Sequence, residues 1–207
     1  MATSNRLGVE ARLSTAIAYL QNNDPVSARR LLVNAKIGAI GLGLEDLVHY
    51  ANRSLAVSHL DEANLHYNAG RLEEADKKYP EAENAYTEFS GSFEEPTLLE
   101  HLGNLYNSWA SATFQLGKNA HNNGSGQLTS AAGDGKLVLI ALGLWDSALQ
   151  WYYKTIQVYD KARSKEVTID SAFKTVPEQE IANIRSAAVR WANSIRRPDV
   201  AERYLPK

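Results

Sequence analysis

The chain contains no cysteine. That excludes disulfides, thiolate metal sites and cysteine nucleophiles. No run approaches the ~18 consecutive apolar residues of a membrane span. The opening residues, MATSNRLGVEARL, lack the apolar core of a secretory signal. A cytoplasmic location is expected, with a removed leader or anchor left open. Neither charge dominates: 22 Lys and Arg face 24 Asp and Glu in 207 residues, a formal net charge of −2. No global field then draws the chain to nucleic acid or an anionic membrane. Runs alternating with period two are scarce, which argues against half-buried strands.

What is present is helix. Ala, Leu, Glu, Arg and Tyr recur at three- and four-residue spacing. The pattern predicts helices over about 10–21, 25–35, 44–68, 71–79, 97–120, 136–165, 178–194 and 198–205. Asp24 before Pro25 reads as an N-cap with proline at the first helical position, which needs no amide partner. Gly38 to Gly43 reads as a turn and Pro80 as a kink or restart. Gly, Ser and Asn make 121–135 a flexible insertion. The expectation is one all-α domain over 1–207.

A spacing repeats along the chain. Gly70, Leu72, Ala75 and Tyr79 share their offsets with Gly143, Trp145, Ala148 and Tyr152, and with Asn23, Pro25, Ala28 and Leu32. Pro198, Ala201 and Leu205 repeat the last part. A turn residue lets two helices fold back, a small residue sits where they approach, and a large one fills the space beside it. Such a pair cannot bury its outer face alone, so pairs stack. This spacing resembles the tetratricopeptide repeat. Ala16 and Tyr19 precede Asn23 as in that family's first helix, and Leu99, Leu102, Gly103 and Tyr106 match it best. The matching segments cover about half the chain, and RLSTAIAYLQNNDPVSARRLLVNA also looks like the start of pilus-assembly tetratricopeptide lipoproteins. The pattern departs from the family too. Asn23, Gly70 and Gly143 are 47 and 73 residues apart, against a period of about 34. Gln115 and Asn119 stand where small and large apolar residues belong. The resemblance implies an irregular right-handed superhelix of antiparallel hairpins; a plain helical bundle is the alternative.

The family likeness also implies a site. First helices of such arrays line a concave groove whose asparagines hold the backbone of an extended peptide. Carried over position by position, these are Asn64, Tyr67 and Asn68, then Asn104, Asn107 and Ser108, then Arg190, Asn193 and Ser194. Asparagine is a poor helix former, and its amide both donates and accepts. One subtype of the family clamps a C-terminal carboxylate with a lysine ahead of Gly-Asn; Glu100 stands there and would repel it.

Other constellations carry less. His59, Glu62 and His66 share a helix face and could contribute to a metal site, given a fourth ligand. Glu73 with Glu74, and Glu94 with Glu95, are adjacent carboxylates, whereas acid–base catalysis needs two across a cleft. Ser125 lacks the strand–turn–helix setting of a nucleophile elbow, and the glycine pairs near it lack the lysine of a phosphate loop. The aromatics of 145–159 have too few interleaved bases for nucleic-acid stacking. Nine acids against two lysines occupy 73–100, and six bases against two acids occupy 185–207. The expectation is a non-catalytic adaptor without cofactor or metal that binds a protein or peptide, with the basic end favouring acidic partners. The alternatives are a metal-binding or enzymatic bundle using His59, Glu62 and His66, and a designed helical scaffold without natural ligand. Partner identity and oligomeric state are not encoded legibly.

Overall fold

The computed structural model describes residues 2–127 and 136–205. Eight α-helices follow one another, with no strand among the described residues. They are α1 (Ala2–Gln21), α2 (Pro25–Gly41), α3 (Glu45–Asn68), α4 (Leu72–Glu88), α5 (Glu95–Gln127), α6 (Lys136–Ser164), α7 (Ala172–Ser194) and α8 (Pro198–Ala201). The chain divides into two compact units, Met1–Leu105 and Tyr106–Lys207, and the division falls within α5.

One turn is used again and again. Asn23, Gly43, Gly70 and Arg196 each take a left-handed backbone, with φ of 57°, 65°, 72° and 56°. The residue after each caps the next helix with ψ between 68° and 75°. That residue also donates its N–H to the carbonyl five places earlier: Asp24 to Tyr19, Leu44 to Ala39, Arg71 to His66 and Arg197 to Ala192, at 2.8–2.9 Å. This closes the preceding helix in a Schellman-type arrangement and satisfies a carbonyl that would otherwise be orphaned. At the first turn the Asp24 carboxylate accepts from the Ser27 N–H at 3.0 Å, as an N-cap should. Glu166 repeats the left-handed step, φ 58°, ahead of α7.

In the first unit, α1 packs on α2, α2 on α3 and α3 on α4. Val9, Leu13 and Ala16 of α1 meet Leu32, Ala35 and Ala39 of α2 and Ala51 and Leu55 of α3 in one buried cluster. Small side chains let these backbones approach. Arg6 ties α1 to α3 through Asp46 at 2.6 Å. In the second unit, α7 packs on α6 and on α8. Its core sets rings among aliphatic side chains: Trp145, Leu149 and Tyr152 of α6 against Ile181, Ile184 and Ala188 of α7. Trp145 stacks on Trp191 at 3.7 Å, and Trp191 stacks on His121 at 3.5 Å. The Trp145 indole N–H donates to the Phe114 carbonyl. It also lies so close to α5 that any side-chain carbon at Gly117 would clash with it.

The alanines expected at close helix contacts are buried: Ala16, Ala28, Ala75 and Ala148 fully, Ala201 nearly so. Several expectations fail. Gly143 lies inside α6, so no turn precedes Ala148. α2 runs through Gly38 to Gly41, and the turn comes at 42–44. Pro80 and Pro177 both lie within helices, where α4 and α7 continue past them. α5 extends to Gln127, so 121–127 are helical; the rest of the expected insertion, 128–135, lies outside the described residues. Leu205 is 47% exposed, and its neighbour Tyr204 fills the space instead.

Candidate functional site

The asparagine-based site is only partly presented to a ligand. On α3, Asn64 is half-buried and its Oδ1 accepts from the Tyr79 hydroxyl of α4 at 3.1 Å. That amide oxygen fastens one helix to the next, which explains why a poor helix former is tolerated there. Tyr67 is half-buried and Asn68 exposed; Asn104, on α5 in the same unit, is exposed. In the second unit, the Oδ1 of Asn107 is buried without a hydrogen-bond partner. Arg190 and Asn193 are exposed on α7.

His59, Glu62 and His66 do not converge as ligands. Glu62 pairs with Arg29 at 2.5 Å and with Lys78 at 3.6 Å. Burial raises its pKa, but these two cations outweigh burial and hold it below the usual carboxylate range. His66 Nδ1 accepts from Arg71 at 3.0 Å. Among the described residues, no group of three or more His, Cys, Asp or Glu is placed to hold a metal ion.

What sequence reasoning missed is a groove in the first unit. α2 is apolar on two sides. Ala28, Leu32, Ala35 and Ala39 face the core and are fully buried. Val26, Val33, Ile37 and Ile40 form a second stripe that is 45–63% exposed. A helix that is apolar all round is normally covered on every side. Beside this stripe lies an open groove of about 420 Å³, walled by Val33, Ile37 and Ile40 and by Glu81, Asn84 and Glu88 of α4. Leu55 and His59 of α3 complete its lining. Lys36 lies over the Phe89 ring at 4.3 Å. Burial, reinforced by the Arg29 charge, pushes the His59 pKa down. Its Nδ1 is buried without a hydrogen bond, and Glu81 stands 3.7 Å away. The imidazole is therefore neutral at pH 7. The chain Arg29–Glu62–Lys78–Glu81 links α2, α3 and α4 and fixes the walls. The signal was present in the sequence, in the spacing of Val26, Val33, Ile37 and Ile40. Glycines at 38 and 41 hid it by suggesting that the helix had ended.

The second unit has a larger groove, of about 520 Å³, between α7 and the C-terminal turn. Ile181, Val189, Tyr204 and Leu205 line it, and Arg185 and Arg190 rim it. Among the described residues, neither groove's lining sets a nucleophile beside a base or two carboxylates on opposite walls.

No protein-family model, curated protein or solved structure matches the chain. Among the described residues, no helix is long and apolar enough to cross a membrane.

Proposed function

We propose that the protein is a non-catalytic interaction module, built of stacked tetratricopeptide-like helix hairpins, that captures an amphipathic segment of another protein in the groove of its first unit. The observation that carries this reading is the exposed stripe of Val26, Val33, Ile37 and Ile40 beside a walled groove. Exposed apolar residues scattered singly need no explanation, but a contiguous stripe flanked by polar residues marks an interaction surface. The hairpin reading is supported by the shared turn and by the alanines buried at the helix contacts. Apolar side chains of the partner lie against α2. Its basic side chains face Glu81 and Glu88, which are exposed on the opposite wall. The groove is lined mainly by the second helices of the hairpins, so the site shifts away from the asparagine face, where Asn68 and Asn104 remain available only as outer contacts.

The test is fluorescence anisotropy of the full chain with a labelled 18-residue helical probe of about that length, carrying Leu at i, i+3, i+4 spacing and Lys elsewhere. The expected result is saturable binding that weakens at least about tenfold in Ile37→Asp, as for truncation at an interface hot spot. Ile37 is exposed, so the variant should keep its unfolding midpoint. Equal affinity of wild type and a folded Ile37→Asp variant, or no saturable binding, overturns the reading.

A further inference from the structure

We infer that the groove of the second unit is a separate docking site for an acidic amphipathic segment of a partner protein. Its floor is apolar, from Ile181, Val189 and Tyr204, with Leu205 left exposed at the edge. Its rim carries two guanidinium groups whose partners are neutral. Arg185 donates to the Tyr153 hydroxyl at 2.8 Å, and Arg190 donates to the Ser186 hydroxyl at 3.0 Å. Neither has a carboxylate within ion-pair reach among the described residues. The neighbouring arginines differ. Arg197 is paired with Asp199 at 2.7 Å and Arg203 with Asp146 at 2.6 Å. The apolar groove thus carries two guanidinium groups with no acidic partner among the described residues, and a hydroxyl already orients each fork. Arginine presents several donors in a planar array that matches a carboxylate. Among the described residues that line the groove, Glu178 is the one acid.

The chemistry selects one occupant. An anion alone would leave Val189 and Leu205 uncovered, and a purely apolar segment would leave both arginines without a counter-charge. A second copy of this chain does not supply the combination from its acidic stretch. On α4 the exposed residues include Glu73, Glu74, Lys77, Glu81, Asn84 and Glu88, with no large apolar side chain among them. A segment with Leu-like residues on one face and Glu or Asp beside them satisfies both halves of the site.

The experiment uses the full chain and a labelled helical peptide with Leu at i, i+3, i+4 spacing and Glu elsewhere, alongside its Leu/Lys counterpart. The Leu/Glu peptide is expected to bind saturably, with affinity falling as salt is raised from about 50 to 300 mM, since exposed charge pairs are screened within a Debye length. Arg190→Glu, whose side chain is exposed and outside the core, should weaken it about fivefold, and Arg185→Glu with Arg190→Glu roughly tenfold. Val189→Asp should abolish it, and Ile37→Asp in the other unit should leave it unchanged. This last control separates the two sites: loss of Leu/Lys binding alone condemns the first-unit reading, and loss of Leu/Glu binding alone condemns this one. No saturable Leu/Glu binding, or unaltered affinity in a folded Arg190→Glu variant, overturns the assignment. So does saturable binding of phosphatidylserine vesicles or of a single-stranded oligonucleotide that depends on both arginines while the Leu/Glu peptide fails to bind.

Discussion

The two units bury their helices by different means. Both bury alanines at helix contacts, fully at 16, 28, 35, 39, 51 and 75 in the first and at 110, 141, 148, 162, 188 and 192 in the second, but the first contains no tryptophan and its largest fully buried side chains are Tyr79 and Tyr86. The second uses large rings, with Trp145 enclosed between Phe114 and Trp191 and with Trp151 stacked on Trp109 at 3.6 Å. Close alanine contacts depend on the absence of volume. Stacked tryptophans depend on its presence, and at Gly117 the space for Trp145 exists because that one residue has no side chain. Removing a ring and adding volume at an alanine are therefore opposite errors, and each should injure the fold where it is made.

The largest expected effect is truncation in the ring-filled unit. Trp145→Ala should destabilise by about 3–5 kcal/mol, since it removes the indole, its hydrogen bond to Phe114 and its stack on Trp191. Urea denaturation followed by circular dichroism measures it. A change under 1 kcal/mol would mean that the ring stack does not organise the second unit. Adding volume should hurt the other unit: Ala75→Leu should cost about 1–3 kcal/mol through overpacking. Full stability would show that α3 and α4 do not meet closely at that point.

A smaller and pH-dependent effect sharpens the contrast. Burial holds the pKa of His59 and of His101 below 6.5, so both are neutral in the folded first unit at neutral pH. Below about 6.5 the unfolded chain takes up protons that the folded one refuses, so stability falls as pH falls until the folded pKa values are reached. His101 packs on Tyr86 with ring centroids 5.5 Å apart and cannot shed that burial without losing the stack. A double variant, His59→Gln with His101→Gln, should flatten the fall in urea midpoint between pH 7 and about pH 5. An unchanged slope would locate the acid sensitivity elsewhere.

The all-helical fold was legible because the apolar residues follow a 3.6-residue period, and the first turn was legible because Asp24 and Pro25 advertise a cap. The less legible boundaries depend on contacts distant in sequence. Gly38 reads as a breaker, yet a side chain there would press on Val9 of α1 at 3.2 Å, so the glycine serves a close approach inside a continuing helix. Gly143 has no such neighbour and still lies mid-helix, and nothing in the structure explains its presence. Arg196 and Glu166 adopt left-handed backbones without the glycine or asparagine that announces one. The site was harder to read. Asn64 has the composition of a ligand contact, but Tyr79, fifteen positions later, occupies its oxygen. Arg190 is marked by its place in the repeat alone; the groove beside it depends on Tyr204 and Leu205, whose neighbourhood no local pattern reveals.

The recurring turn separates joint from rod. Because main-chain bonds set its geometry and its key position accepts Asn, Gly or Arg, the helices on either side are free to differ in extent, from 4 residues in α8 to 24 in α3. Adding or deleting a whole number of helical turns would move a wall along its neighbour while preserving the joint. An architecture of this kind can vary the length of its exposed faces without inventing new connections.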